Sequence, residues 1–477
     1  MITSDRMAAV DRNATALGIS PEWLMESAGN AVARAVREFG GPDASVTVLA
    51  GRGNNGGDGI TAARFLSDLD VEVLLLGRPS GLASDETRAK WDALQAAGVP
   101  TREVTDSTAI DVGSPDIVVD AILGTGVTGA PREPERTAVQ AINESDAAVV
   151  SVDVPSGMDV DTGEVVDVAV DPNRVVTFHD VKPGLADRED VTVANIGIPV
   201  AAERFVGPGD RQVIERPSDS HKGDFGRVMV VGGGPFTGAP ALAAQAALRA
   251  GADLAYVVAP ESVADQIQGY SEDLIVDAVD GTRIGPDHVD DLLAAARDRD
   301  VVLLGPGLGD AEESHAAVAE FLEAYDGRAV VDADALAAVP DVETDATVVC
   351  TPHQGELEEM GGPTADDWEE RSALVEEFAA DLGHTLLVKG AHDVISDGET
   401  TRVNRTGNQG MTAGGTGDVL AGATAALLAQ VEPVDAAALA AYANGLAGDA
   451  VVDRDGFGLV AADLLPELPR ALWDGRR

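Results

Sequence analysis

The segment Ser45-Val46-Thr47-Val48-Leu49-Ala50-Gly51-Arg52-Gly53-Asn54-Asn55-Gly56-Gly57-Asp58-Gly59 decides the fold. Its first six residues read as a buried strand, and an apolar helical pattern begins near Ile60. A strand that runs through glycines into a helix opens a βαβ unit, so a parallel sheet with helices on both faces is expected. Five glycines in the nine residues 51–59 permit positive φ and close backbone approach. The following helix N-terminus offers free amides and a favourable dipole, so the segment reads as a phosphate cradle. It lacks the acidic partner of the dinucleotide fingerprint and the lysine of a Walker loop, so another kind of nucleotide site is implied.

Outward from this segment the same rhythm continues. Upstream lies a helical region from Asp5 to Phe39, in which Ser20 and Pro21 look like an N-cap and a first helical proline. Downstream, strands are expected at 71–76, 117–123 and 147–154, with helical patterns at 61–68 and 85–97. The rhythm lapses between Phe205 and Ser220, and a second strand series starts at 228–231. It continues at 254–259, 301–304, 329–332, 347–351 and 385–389, and closes with apolar helices near 418–430 and 434–450. The expected class is α/β with two domains. Residues 1–208 form a Rossmann-like parallel sheet with helices on both faces, and residues 216–477 form a second α/β domain.

The composition narrows the function classes. A net charge of −49 arises from 82 acidic against 33 basic residues, of which only Lys90, Lys182, Lys222 and Lys389 are lysines. This haloarchaeal-like balance reads as adaptation to high salt, where screening removes self-repulsion. It excludes nucleic acid as a partner, since phosphate-backbone binding needs a basic surface. The lone Cys350 rules out a disulfide framework, and neither a secretion signal nor a membrane span is visible. A cytoplasmic protein, without membrane contact and forming a homo-oligomer, is the expectation.

Asp120 and Asp153 end two further strands of the first half, and each leads into a loop. In a parallel sheet such strand ends converge on one crevice, where Asn55, Asp120 and Ser156 supply oxygens suited to a hard cation. The segments Leu24 to Gly29, Asn54 to Gly59, Asp120 to Ala130, Val152 to Gly157 and Ile196 to Pro199 resemble the NAD(P)H-hydrate epimerase family over most of residues 1–205. That resemblance implies that Asn54, Asn55, Gly56, Gly57 and Asp58, with Gly124, Thr125, Gly126, Val127, Thr128, Gly129 and Ala130 and with Asp153, bind the hydrated dinucleotide. It further implies K+ held by Asn55, Asp120 and Ser156. Epimerisation at a hydroxylated ring carbon needs a nearby proton acceptor, and Asp153 is assigned that role.

In the second half, Asn408-Gln409-Gly410-Met411-Thr412-Ala413-Gly414-Gly415-Thr416-Gly417-Asp418 feeds a helix expected from Val419. Its glycine amides make an anion hole for a phosphoryl group, and Asp418 is placed to take a proton from an attacking hydroxyl, as in ribokinase-like enzymes. Together with the segments His221 to Gly226, Gly238 to Pro240, Gly305 to Gly309, Thr351 to Glu356 and Lys389 to Asp393, the run resembles the ADP/ATP-dependent NAD(P)H-hydrate dehydratase family over residues 216–470. The resemblance implies a ribokinase-like domain in which Ala239, Gly307, His353 and Asp418 face the hydrate. Lys389, Gly390, Ala391, His392, Asp393 and Gly417 would face the adenylate. It also implies Mg2+ with ADP as phosphoryl donor, AMP as product, and catalysis by Asp418. One alternative stays open at this level: a ribokinase-like small-molecule kinase fused to a non-catalytic nucleotide-binding module.

Overall fold

The computed structural model describes residues 1–127 and 129–473, so Thr128 lies outside the described residues. The chain divides into two compact units, Met1–Ala202 and Glu203–Arg477.

The first unit is built on β1 (Ser45–Ala50), β2 (Asp70–Leu76), β3 (Thr101–Val104), β4 (Ile117–Ala121), β5 (Ala148–Val152), β6 (Arg174–Phe178) and β7 (Val191–Ala194). They run in the order β3-β2-β1-β4-β5-β6-β7, and every pairing is parallel. Side chains alternate along each strand. Val46, Val48 and Ala50 pack with α2 (Pro21–Gly40) and α3 (Asn54–Phe65), while Leu49, Leu74 and Val118 meet the helix Glu135–Asn143 on the other face. The strand order reverses between β1 and β4, which opens a crevice at their carboxyl ends. Ser20 caps α2 as expected, its hydroxyl accepting from the Trp23 amide at 3.3 Å, with Pro21 in the first turn. α1 (Ser4–Ala16) precedes it.

One expectation is overturned. The helix does not begin near Ile60: α3 starts at Asn54, so Asn54 to Gly59 are helical. None of the glycines between Gly51 and Gly59 adopts positive φ. Close packing explains them instead. A Cβ on Gly51 would sit 1.9 Å from the Ile122 carbonyl oxygen, one on Gly56 2.0 Å from that of Gly51, and one on Gly59 2.4 Å from the Ala121 Cβ. Glycine here lets α3 lie directly on the ends of β1 and β4.

The second unit holds β8 (Arg227–Val231), β9 (Leu254–Pro260), β10 (Leu274–Val279), β11 (Val301–Leu304), β12 (Arg328–Val331), β13 (Thr347–Cys350), β14 (Thr385–Val388), β15 (Asp393–Ser396) and β16 (Thr401–Asn404). The order is β10-β9-β8-β11-β12-β13-β14-β15-β16, parallel as far as β14 and antiparallel beyond it. Val228, Val230 and Leu303 pack under the helices Gly238–Ala250, Thr416–Leu428 and Pro433–Asp455, whereas Met229, Leu304 and Val331 meet the helix Glu312–Ala324.

The division falls earlier than the expected limit at residue 208, because the following segment is tied into the second unit. Arg402 Nη2 meets Asp210 Oδ1 at 2.7 Å with both side chains 4% exposed, and Val206 packs against Ala438 and Tyr442. Removing one member of such a pair strands a buried charge. Arg402→Leu is therefore expected to cost about 3–5 kcal/mol in a urea titration of the full chain, with most of it recovered when Asp210 is also replaced by Leu.

Candidate functional site

In the first unit the switch point between β1 and β4 opens into a cleft of ≈ 810 Å³, a volume suited to a small-molecule ligand. Asn54, Asn55, Asp58, Gly124, Thr125, Gly126, Val127 and Asp153 line it. Gly53, the N-cap of α3, provides no side-chain cap, which leaves first-turn amides available to an anion. Gly56 and Gly57 are buried inside α3, with a Cβ on Gly57 meeting Met25 at 2.7 Å, so they serve packing and do not line the wall. Gly129 and Ala130 also lie off the wall.

Asp120 and Ser156 are fully buried behind the wall. The Asp120 carboxylate accepts from the Ser151 hydroxyl (2.8 Å), the Ser156 amide (2.9 Å), the Ile122 amide (3.3 Å) and the Ser156 hydroxyl. Burial raises its pKa, and these donors offset that only in part. Beside them, Asn55 donates from Nδ2 to the Leu123 carbonyl at 3.0 Å, while its buried Oδ1 has no partner.

Asp153 follows β5 with φ +63°, a conformation a non-glycine residue adopts only under constraint. The constraint is visible: its Oδ1 accepts from Lys182 Nζ (2.9 Å), the Thr177 hydroxyl (3.1 Å) and the Phe178 amide (3.2 Å). Lys182 is fully buried and also donates to the Phe178 carbonyl at 2.7 Å. Sequence reasoning missed Lys182, although it is one of only four lysines in the chain. It also missed Asp11 on α1, which lines the cleft. Burial and the charge of Asp153 push the Asp11 carboxyl up to about 6, with Lys182 opposing. Asp58 is raised well above the usual carboxylate range by burial, Asp153 and Asp11.

In the second unit the strand order reverses between β8 and β11. Gly305, with φ +125°, leaves β11 so close to β12 that a Cβ would lie 1.7 Å from the Asp332 carbonyl oxygen. Gly307 is buried against Phe236 and Pro240, and Ala239 is half-buried in the adjacent helix. The helix Thr416–Leu428 starts earlier than expected, so Asp418 sits inside its first turn. Gly415, at φ +93°, is its N-cap and contributes no side-chain hydrogen bond. Burial, then Asp332 and Asp334 against Lys389, push the Asp418 carboxyl up to about 7.

Lys389 Nζ lies 3.0 Å from Asp332 Oδ1 and 3.6 Å from Glu356 Oε2, and 3.5 Å from where a Cβ on Gly417 would be. Burial works against its charge, but Asp332 and Glu356 outweigh burial and raise its pKa. Asp332 and Glu356 were not singled out from sequence, although Asp332 follows a strand just as Asp153 does. His353 is exposed and caps the helix Gln354–Glu359, its Nδ1 accepting from the Glu356 amide at 3.0 Å. After β14, Gly390 and Ala391 turn outward and His392 stacks on Trp368 at 5.6 Å. Asp393, pushed up to about 6 by burial, accepts from the Gly390 amide and Asn404 Nδ2, each at 2.9 Å, so it braces this loop.

Comparison with known proteins follows these two centres. A family model described as NAD(P)H-hydrate dehydratase matches residues 228–470, and one described as YjeF-related protein N-terminus matches residues 21–184. The chain is 45% identical to a bifunctional NAD(P)H-hydrate repair enzyme Nnr of Pyrobaculum aerophilum, over 99% of this chain and 98% of that protein. It is 42% identical to the enzyme of that name from Methanothermobacter thermautotrophicus, over 98% and 95%. Among solved structures, the ADP/ATP-dependent NAD(P)H-hydrate dehydratase from Bacillus subtilis, co-crystallized with ATP/Mg2+, is 28% identical with a TM-score of 0.50, covering 56% of this chain and 97% of its own.

Proposed function

We propose, from the premise that this chain belongs to the bifunctional NAD(P)H-hydrate repair enzyme family, that one polypeptide restores damaged nicotinamide dinucleotides in two steps. The first unit interconverts the two epimers of the hydrate. The second dehydrates the epimer it accepts, using a nucleotide. The observation that carries this reading is that each unit sets a carboxylate beside an uncapped helix N-terminus at a strand-order reversal: Asp153 with α3, and Asp418 with the helix from Thr416.

In the second unit, Asp418 takes the proton of the ring hydroxyl as the terminal phosphoryl group is transferred to that oxygen. Phosphate then leaves, drawn off by the lone pair of the neighbouring ring nitrogen, and loss of a ring proton restores the dihydronicotinamide. Lys389, held between Asp332 and Glu356 next to Gly417, supplies the positive charge facing the nucleotide phosphates. We assign ADP as the donor and AMP as the product, with Mg2+ accompanying the nucleotide.

The residues behind the first cleft fit a potassium ion. The unpartnered Asn55 Oδ1, the Leu123 carbonyl, the Ser156 hydroxyl and the incompletely compensated Asp120 carboxylate form an all-oxygen donor set. Bound there, the ion would neutralise Asp120 and stiffen the Leu123 to Val127 wall. Cys350 is buried with its thiol pushed up to about 12 by burial, which keeps it protonated and unreactive. Among the described residues no helix is long and apolar enough to cross a membrane.

The direct test is to give the protein aged NADH containing both hydrate epimers. With Mg2+ and ADP, absorbance in the dihydronicotinamide band should recover from both epimers and AMP should accumulate. Without nucleotide the epimers should interconvert with no recovery. A stable phosphorylated alcohol would instead identify a small-molecule kinase.

A further inference from the structure

We propose that Asp11, on α1, is a second catalytic residue of the first unit, and works with Asp153 as an acid and base on the two sides of the bound ring. This rests on the epimerase reading above. Asp11 and Asp153 line the same cleft from different elements. The start of α1 is tied to the loops that follow β6 and β5: the Ile2 amide donates to the Val181 carbonyl at 2.9 Å, next to Lys182, and the Ser4 amide donates to Asp161 at 2.8 Å.

The two carboxyl groups are unequally provided for. Asp153 has its Oδ1 fixed by Lys182, Thr177 and the Phe178 amide, which leave Oδ2 without a partner among the described residues. Asp11 has no ion pair and no hydrogen bond to its carboxyl among the described residues. Lys182 compensates one carboxylate, yet Asp11, Asp58 and Asp153 share this cavity, so a proton is most easily accommodated on the groups lacking a lysine. Burial, Asp153 and Asp11 raise Asp58, which sits within α3, while Asp11, pushed up to about 6, can exchange a proton near neutrality. The other charged groups facing the cleft are Arg12, which has no carboxylate partner among the described residues, Glu86, and Arg52 paired with Glu135 at 3.2 Å.

The step balances without a co-reactant. Hydration of the ring places the hydroxyl on the carbon next to the ring nitrogen. Asp11 protonates this hydroxyl, the carbon–oxygen bond breaks with its pair going to oxygen, and water departs as the nitrogen lone pair forms a carbon–nitrogen double bond. Water then adds from the other face, the π pair returns to nitrogen, and the surplus proton passes to Asp153. Lys182 is a positioning residue that keeps Asp153 ready to receive it. With the roles of the two aspartates exchanged, the same path runs backwards, which an epimerase requires.

The experiment follows interconversion of one purified epimer by the full chain with no nucleotide present, so that the second unit is silent. Asp11→Asn is expected to lower kcat about 100-fold or more, with KM within about threefold. The wild-type rate should decline as the pH rises through about 6, where protonated Asp11 is lost, and this limb should vanish in Asp11→Asn. Asp11→Glu, which keeps a carboxyl group, should retain the limb and at least about a tenth of the rate. NADP+ binding and the thermal transition of the first unit report that the cleft is intact. An Asp11→Asn rate within about threefold of wild type, a loss confined to KM, or an Asp11→Glu variant no better than Asp11→Asn overturns the proposal. Failure of the wild-type protein to interconvert epimers would bring down the epimerase reading itself.

Discussion

Asp418→Asn is expected to lower nucleotide-dependent recovery of the dihydronicotinamide on the order of 10³-fold, with the epimers still interconverting at the wild-type rate. Asn is isosteric with Asp, so it preserves the first turn of the helix from Thr416 and removes only the proton acceptor. In the wild-type protein, kcat/KM should fall about tenfold per pH unit below about 7, because Asp418 must be ionised to act and burial beside Asp332 and Asp334 favours its protonated form. The variant should lack this limb. Stability carries the opposite sign. A carboxyl whose folded pKa lies above its unfolded value stabilises the fold most when protonated, so that contribution fades as the pH rises from about 4 to about 7. At pH 8 the Asp418→Asn chain should therefore melt higher than wild type. Calorimetry showing a lower transition, or a rate within tenfold of wild type, would contradict the role of a desolvated base.

The second large effect concerns backbone proximity. Gly56→Ala places a Cβ 2.0 Å from the Gly51 carbonyl oxygen, and no rotamer can relieve a clash between a Cβ and backbone. Either α3 lifts from β1 or the turn opens, and both displace Asn55 and Asp58 from the cleft. Destabilisation of about 3 kcal/mol or more, with loss of epimer interconversion and the second unit's dehydratase retained, is expected. Gly53→Ala is the control. Its φ is −85° and nothing lies within 4 Å of the added methyl, so it should cost about 1 kcal/mol, the ordinary penalty at an N-cap. Urea titration of the two variants checks the contrast, and equal costs would mean that glycine is required here for some reason other than close approach.

Both centres were partly legible in the sequence because they sit at strand ends, where hydrophobic runs give way to glycine or aspartate. Asp153 is marked by the strand it follows, and Asp418 by the glycine run that leads into its helix. The short strands β3 and β7 escaped notice because each is four residues long at a sheet edge, with mixed polarity and little burial to impose a pattern. Asp11 escaped for a different reason: it is one acidic residue on an amphipathic helix, and nothing local distinguishes it from a solvated one.

The amino-acid pattern by itself determined two α/β units, the strands β1 and β11 to the residue, and the glycine-rich starts of the helices beside each reaction centre. Those features follow from local periodicity and from what glycine permits. Only the tertiary structure decided why the glycines at 51, 56 and 59 are there, that Asp120 and Ser156 lie behind the cleft wall, and which aspartates are compensated by Lys182 and Lys389. Burial and charge pairing depend on residues far apart in the chain, so the surroundings of these carboxyl groups are fixed by the assembled fold and by no single stretch of sequence.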